Sequence, residues 1–283
     1  MPAIHLVGLI GYPVGHSRSP VMQQAAFDAL GIAARYTLWE TSPDALARRI
    51  ASLRSPHILG ANVTIPYKTA IVPLLDDLAP GAERAGNAVN TIVRDANGRL
   101  IGHNTDVTGV LRTLDTHGAG DGGQALLALG AGGAARAVWA AARERGMALR
   151  VAARHLEAAR VALEAAGLAS VEVIPLDAPD QLAEALAASS IVVNATSVGM
   201  DDSLASPLSE ALLAHLPLDA LVFDLVYAPP ETALLRTARA LGLRTATGLE
   251  MLLEQGAAAF QLWTGQEAPI AAMQATLAMN KGK

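Results

Sequence analysis

The sequence predicts an α/β protein of two domains, the second of them a doubly wound parallel sheet. Three observations carry this. Short apolar runs of strand length alternate with amphipathic stretches of helix length along nearly all of the 283 residues. A glycine-rich stretch, Gly118-Ala119-Gly120-Asp121-Gly122-Gly123, interrupts that alternation and marks a candidate boundary. Beyond it every predicted strand is followed by a helix, the pattern that βαβ units produce.

Taken in order, strands are expected at Ile4–Leu9, Tyr36–Trp39 and Ile58–Val63. Helices are expected over Pro20–Leu30 and Asp44–Leu53, the second opened by Ser42 as cap and Pro43 in its first turn. Ala88–Val93 and Arg99–Ile101 read as a hairpin closed by Asp95-Ala96-Asn97-Gly98. A helix capped by Thr105 runs from Asp106 to His117. Strands follow at Gln124–Leu129, Ala148–Ala152, Val171–Ile174, Ile191–Asn194, Leu221–Asp224 and Arg244–Ala246, with helices between them. The final helices, Leu249–Thr264 and Ile270–Asn280, have no strand after them and are expected to return to the first half. The resulting division is residues 1–105 plus 250–283 in one domain and 106–249 in the other.

Composition narrows the function. There is no cysteine, which excludes disulfides and thiol chemistry and suits a reducing cytoplasm. A net charge of −5 argues against a general nucleic-acid binder. No apolar run reaches the ~20 residues of a membrane helix, and Met1-Pro2-Ala3-Ile4-His5 does not open like a secretory signal. Nor does any cluster of residues read as a metal site. Of 21 basic residues only Lys68, Lys281 and Lys283 are lysines. Arginine stays protonated, whereas a lysine can release and recover a proton in suitable surroundings. Lys68, the one lysine in the body of the chain, is therefore a candidate proton donor; the bland reading is an accident of composition.

Gly130-Ala131-Gly132-Gly133-Ala134-Ala135 lies between a predicted strand and a predicted helix. It fits the dinucleotide fingerprint with alanine in the last place, small residues letting backbone N–H groups approach a pyrophosphate at the helix N-terminus. At the end of the next strand, where an NAD enzyme places an acid, the chain has Ala153-Arg154-His155. Arg154 offers a permanently charged partner for the 2′-phosphate of NADP, although it could equally be an ordinary surface arginine.

Four segments of the first half concentrate polar groups: Gly11-Tyr12-Pro13-Val14-Gly15-His16-Ser17-Arg18-Ser19-Pro20, Asn62-Val63-Thr64-Ile65-Pro66-Tyr67-Lys68, Gly86-Asn87-Ala88-Val89-Asn90-Thr91 and Gly102-His103-Asn104-Thr105-Asp106. Each has a plain account as a turn or cap, and Ser19 reads individually as a cap for the helix at Pro20. Together they offer amides, hydroxyls, one amine and one carboxylate, a set suited to a polyhydroxylated ligand.

These segments, in this order and spacing, resemble the shikimate dehydrogenase family. So do Asn194-Ala195-Thr196-Ser197-Val198-Gly199-Met200, Asp224-Leu225-Val226-Tyr227 and Gly248 with Met251, Leu252 and Gln255. The resemblance runs from about Leu6 to Gly265. It implies an N-terminal substrate domain, a Rossmann-type NADP domain, and NADPH-dependent reduction of 3-dehydroshikimate to shikimate on the route to chorismate and aromatic amino acids. Lys68 and Asp106 would be the catalytic pair. Ser17 and Ser19 would bind the substrate carboxylate, with Thr64 and Tyr227 close by, while Asn62, Asn90 and Gln255 would read ring hydroxyls. Gly130, Ala131, Gly132, Gly133 and Ala134 would hold the pyrophosphate, Arg154 the 2′-phosphate, and Thr196, Leu225 and Gly248 the nicotinamide end.

The sequence departs from the family pattern around Arg154, at Val107 and at Glu250, where glycine is frequent at the last two. NAD in place of NADP thus stays open at this level. So do quinate as an alternative substrate, against which Ser19 speaks, and a non-catalytic metabolite sensor of the same fold, against which Lys68 and Asp106 speak. A small-molecule substrate, no nucleic-acid or membrane partner, and a monomeric or homodimeric state complete the expectation.

Overall fold

The computed structural model describes residues 4–279, so Lys281, Lys283, Asn280 and the first three residues lie outside the described chain. The chain forms two compact units, Met1–Gly109 with Leu252–Lys283, and Val110–Met251. Both crossings fall inside helices, and the glycine-rich stretch 118–123 lies within the second unit.

The first unit contains β1 (His5–Gly11), α1 (Ser19–Ala29), β2 (Ala34–Glu40), α2 (Leu46–Ser52), β3 (Ile58–Val63), β4 (Asp77–Leu78), α3 (Pro80–Arg84), β5 (Thr91–Arg94), β6 (Leu100–His103) and the start of α4 (Thr105–Thr116). Its sheet has the order β2-β1-β3-β5-β6-β4. β1, β2 and β3 run parallel, β5 runs antiparallel to β3, and β6 is antiparallel to β5. That mixture positions the chemistry. The C-terminal ends of β1, β3 and β6 and the N-terminal end of β5 all open on one edge, and all four polar segments leave or enter there. One face of the sheet buries Ile10, Ile50, Leu53, Ala61, Val63, Ile71, Ile92 and Leu100.

The second unit contains β7 (Ala125–Leu129), α5 (Gly133–Glu144), β8 (Ala148–Ala153), α6 (Leu156–Ala165), β9 (Glu172–Pro175), α7 (Pro179–Ala187), β10 (Ile191–Asn194), α8 (Glu210–Leu213), β11 (Leu221–Asp224), α9 (Ala233–Ala240) and β12 (Arg244–Thr247). Its strands are parallel throughout, in the order β12-β11-β10-β7-β8-β9. This is the doubly wound sheet expected from the βα alternation, with sequence order reversing between β7 and β10. Strands buried on both faces should be apolar throughout, and Leu126–Leu129, Ile191–Val193 and Leu221–Phe223 are fully enclosed. The alanines of α5 do comparable work: Ala135, Ala137, Ala140, Ala141 and Ala142 are buried around Trp139, their small side chains allowing close helix packing.

α10 (Gly248–Thr264) and α11 (Ile270–Met279) follow β12. Most of α10 and all described residues of α11 belong to the first unit, where α11 packs on α1 and the Arg18 guanidinium donates to the Leu277 carbonyl at 2.8 Å. Trp263 donates from Nε1 to the Ile92 carbonyl at 3.0 Å, tying α10 to β5.

Three expectations need correction. The first turn of the helix expected at Asp44 is a 3₁₀ turn, Pro43–Ala45, before α2 begins at Leu46. Ser19 is not a cap: α1 starts at Ser19 itself after Arg18, with no side-chain cap, and the Ser19 N–H bonds to Ser17 Oγ at 3.2 Å. Thr105 is not the cap of α4 but its first residue. Asn104 Oδ1 accepts from Val107 N–H at 3.2 Å instead, and the Thr105 side chain turns into the polar network described below. No helix among the described residues is long and apolar enough to cross a membrane.

Candidate active site

In the first unit, Lys68 follows β3 by way of Thr64, whose N–H is fixed on the Ile10 carbonyl at 2.9 Å. The Val89 N–H donates to the Lys68 carbonyl at 2.7 Å, which sets the lysine backbone against the segment leading into β5. Asp106 lies in the first turn of α4, directly after β6. Their side chains meet: Lys68 Nζ is 2.5 Å from Asp106 Oδ2, with the two side chains 15% and 8% exposed. A pair this far withdrawn from water interacts more strongly than a surface ion pair and holds a single geometry.

Asp106 has a second support. Asn90 Nδ2 donates to Asp106 Oδ1 at 2.8 Å and to Thr105 Oγ1 at 2.9 Å, while Asn90 Oδ1 accepts from the Thr105 N–H at 2.7 Å. Because that last donor is a backbone N–H, it fixes which end of the Asn90 amide faces the carboxylate. Gln255, on α10, approaches Asn90 at 3.4 Å and donates from Nε2 to the Leu252 carbonyl at 2.8 Å. Asn62 is buried and heavily committed: its Oδ1 accepts from Tyr36, and its Nδ2 donates to Thr91 Oγ1 and to the Asn90 carbonyl. Its amide hydrogens thus serve the protein's own framework. The serine loop leaves β1 at the same edge and is joined to the lysine loop by Tyr12 N–H on the Ile65 carbonyl at 3.1 Å. Ser19 is buried there and Ser17 half-buried.

The second unit gathers the other predicted residues on its own edge. Gly130 follows β7, Arg154 follows β8, Thr196 lies just past β10, Leu225 follows β11 and Gly248 follows β12, all at the C-terminal ends of parallel strands. Tyr227 also belongs to this unit, in the segment after β11. Gly130 has a φ of 105°, and Gly132 precedes α5 in an extended conformation, with no side chain capping the helix. A Cβ on Gly132 would meet nothing within 4 Å, leaving the approach to the helix N-terminus open. An uncapped helix start beside glycines suits a pyrophosphate. The exposed guanidinium of Arg154 stands at the end of the neighbouring strand. These residues fit a dinucleotide phosphate.

The C-terminal ends of β10 and β11 on this edge rest on a buried polar network. Asn194 and Asp224 are register partners on β10 and β11, and Asn194 Nδ2 donates to Asp224 Oδ1 at 2.8 Å. Asn194 Oδ1 accepts from both the N–H and the hydroxyl of Thr196, at 3.0 and 2.7 Å. Asp224 also accepts from Val226 N–H at 3.0 Å and Thr232 Oγ1 at 2.6 Å. Burial pushes the Asp224 carboxyl above its ordinary range, opposed by the bonds from Thr232, Val226 and Asn194. Glu250 has a structural role as well: its carboxylate accepts from the N–H and hydroxyl of Thr247, a capping box for α10, and meets His117 Nε2 at 2.6 Å.

Two family models match the chain: the shikimate dehydrogenase substrate binding domain over residues 9–92, and the shikimate 5′-dehydrogenase C-terminal domain over 248–278. A shikimate dehydrogenase (NADP(+)) of Symbiobacterium thermophilum is 43% identical, with 98% of this chain and 95% of that protein covered. This chain belongs to the shikimate dehydrogenase family. A second member of that family, from Moorella thermoacetica, is 45% identical over 96% of this chain and 92% of its own length. The crystal structure of shikimate 5-dehydrogenase from Thermus thermophilus, in complex with NADP(H) and shikimate, superposes with a TM-score of 0.86 at 38% identity. The match covers 98% of this chain and 99% of that one.

The sequence assigns no role of their own to Tyr36, Thr91 or Thr105. Tyr36 reads as the start of a strand, Thr91 as a residue inside one at the end of a polar segment, and Thr105 as a cap. Their partners lie on other elements, and periodicity carries no trace of them.

Proposed function

We propose that this chain catalyses the reversible NADPH-dependent reduction of 3-dehydroshikimate to shikimate, with Lys68 as the proton donor. The observation that carries this is the 2.5 Å pair between Lys68 Nζ and Asp106 Oδ2 at the polar edge of the first sheet. NADPH, when bound, supplies the hydride. As the carbonyl oxygen gains negative charge, the Lys68 ammonium stabilises it and delivers a proton. In the reverse direction Lys68 accepts that proton. Asp106 holds the ammonium in place, and Asn90 holds Asp106. General acid catalysis of this kind contributes ~10²–10⁴-fold.

Residues 1–105 with 250–283 are assigned the substrate and 106–249 the cofactor. Ser17 and Ser19 bind the carboxylate, with Thr64 and Tyr227 beside it, and Asn62, Asn90 and Gln255 face the ring hydroxyls. The cofactor lies along Gly130 to Ala134, with Arg154 on the 2′-phosphate and Thr196, Leu225 and Gly248 at the nicotinamide. With both Asn62 amide hydrogens committed and Oδ1 already accepting from Tyr36, a ring hydroxyl would be read through the second lone pair of Oδ1. The absence of cysteine and the net charge of −5 support a cytoplasmic enzyme without nucleic-acid or membrane partners, working as a monomer or homodimer.

Arg154→Ser tests the cofactor assignment. Loss of a charge-assisted contact worth ~1.5–3 kcal/mol raises KM for NADPH by about 10–100-fold, with KM for NADH unchanged. Equal KM values for NADPH in the two proteins would remove Arg154 from the site. Initial rates of shikimate oxidation with NADP test the function itself.

A further inference from the structure

A chain of buried hydrogen bonds reaches the Lys68–Asp106 pair from the far side of the first sheet. It starts at Tyr36 on β2, whose hydroxyl donates to Asn62 Oδ1 at 2.8 Å. Asn62 Nδ2 donates to Thr91 Oγ1 at 3.0 Å, and Thr91 Oγ1 donates to Asn90 Oδ1 at 3.1 Å. Asn90 Nδ2 donates to Asp106 Oδ1 at 2.8 Å, and Asp106 Oδ2 accepts from Lys68. From Tyr36 to Asp106 every donor points the same way, so each bond polarises the next.

Two constraints fix that direction. The Thr105 N–H, which can only donate, bonds to Asn90 Oδ1 at 2.7 Å, so Nδ2 must face Asp106. The Asn90 carbonyl, which can only accept, takes a bond from Asn62 at 3.2 Å, so the Asn62 amide nitrogen must lie on the Thr91 side. Thr91 lies directly opposite Asn62 on β3 and opposite His103 on β6, at the centre of three strands. It is fully enclosed, and its hydroxyl also lies 3.0 Å from Thr105 Oγ1. No solvent can replace that hydroxyl if it is removed.

We propose that Thr91, with Tyr36 behind it, is a positioning residue for proton transfer, holding the Asn90 amide so that Asp106 keeps Lys68 in its reactive place. This rests on the reading that Lys68 and Asp106 carry the acid–base step. A buried threonine that merely satisfies its own hydroxyl would have no effect on turnover beyond stability. The positioning role instead acts on kcat, because Asn90 Nδ2 holds the carboxylate that pairs with Lys68.

The test is steady-state kinetics of shikimate oxidation with NADP on wild type, Thr91→Val, Thr91→Ser and Tyr36→Phe, with Tm measured for each. Valine keeps the shape and removes the hydroxyl; serine keeps the hydroxyl and removes the methyl. Thr91→Val is expected to lower kcat about 10-fold, the effect of a lost hydrogen bond, with KM for shikimate within about threefold. Thr91→Ser is expected within about twofold of wild type, and Tyr36→Phe about threefold slower at unchanged KM. Wild-type kcat in Thr91→Val, or equal slowing in Thr91→Ser, overturns the proposal. Should Thr91→Val not fold, Tyr36→Phe decides: a lower kcat at constant KM supports positioning, and wild-type kcat overturns it. A wild-type protein that does not oxidise shikimate at all condemns the functional reading instead.

Discussion

Replacing Lys68 with alanine is expected to lower kcat for shikimate oxidation by ~10²–10⁴-fold, the usual contribution of a positioned general acid or base. Shikimate binding, measured directly by calorimetry, should stay near the wild-type value, because the groups assigned to the carboxylate and ring hydroxyls are other residues. The separation of kcat from Kd is the informative part. An interaction made only as charge develops on oxygen affects turnover, whereas a ground-state contact would raise KM. The variant also leaves Asp106 buried with Asn90 as a donor but without its ammonium partner. Some loss of Tm is therefore expected, and kinetics should be read at a temperature where both proteins are folded. Turnover close to wild type would remove Lys68 from the mechanism.

The second large effect is expected at Gly248, the first residue of α10. A Cβ added there would lie 2.3 Å from the Leu225 carbonyl oxygen and 2.7 Å from its carbon. These are backbone atoms and cannot rotate away as a flexible side chain could. Gly248→Ala must therefore push the start of α10 away from the segment after β11, and both segments are assigned to the nicotinamide end. Overpacking of this sort costs ~1–3 kcal/mol of stability. Displacement of the site by a fraction of an ångström is expected to lower kcat/KM for NADPH by ~10²-fold. Thermal denaturation and cofactor titration read the two effects separately. An alanine variant with native Tm and native kcat/KM would show that this close approach is dispensable.

The fold was legible wherever one physical signal dominated. β3, β10 and β11 end where apolar runs end, and their bounds match the reading residue for residue. The hairpin of β5 and β6 follows from Asp95 and Gly98, and Asp95 Oδ1 does accept from the N–H groups of Asn97 and Arg99. The elements passed over have weak local signals. β4 is two residues long and exists through its pairing with β6, while α3 is a single short turn opened by Pro80 and Gly81. Capping was misjudged where a side chain had a better partner elsewhere: Thr105 is drawn to Asn90 and Thr91, leaving Asn104 to cap α4.

The site divides in the same way. Lys68 stood out by composition and Asp106 by the family resemblance, and the structure pairs them. Glycines and small residues after β7 were readable because a fingerprint fixes their spacing. The Tyr36–Asn62–Thr91–Asn90 chain was not readable, since its members come from three strands and a loop that only sheet register brings together. The same holds for Asn194 and Asp224, visible as motif letters but not as one buried network until β10 and β11 are paired.

The most direct test of the account is a comparison of initial rates with shikimate and quinate, each with NADP and NAD, using the wild-type protein. Shikimate with NADP is expected to be turned over fastest, with kcat/KM in that pair well above the other three. Turnover of quinate with NAD alone, or no turnover with any of the four pairs, would contradict it.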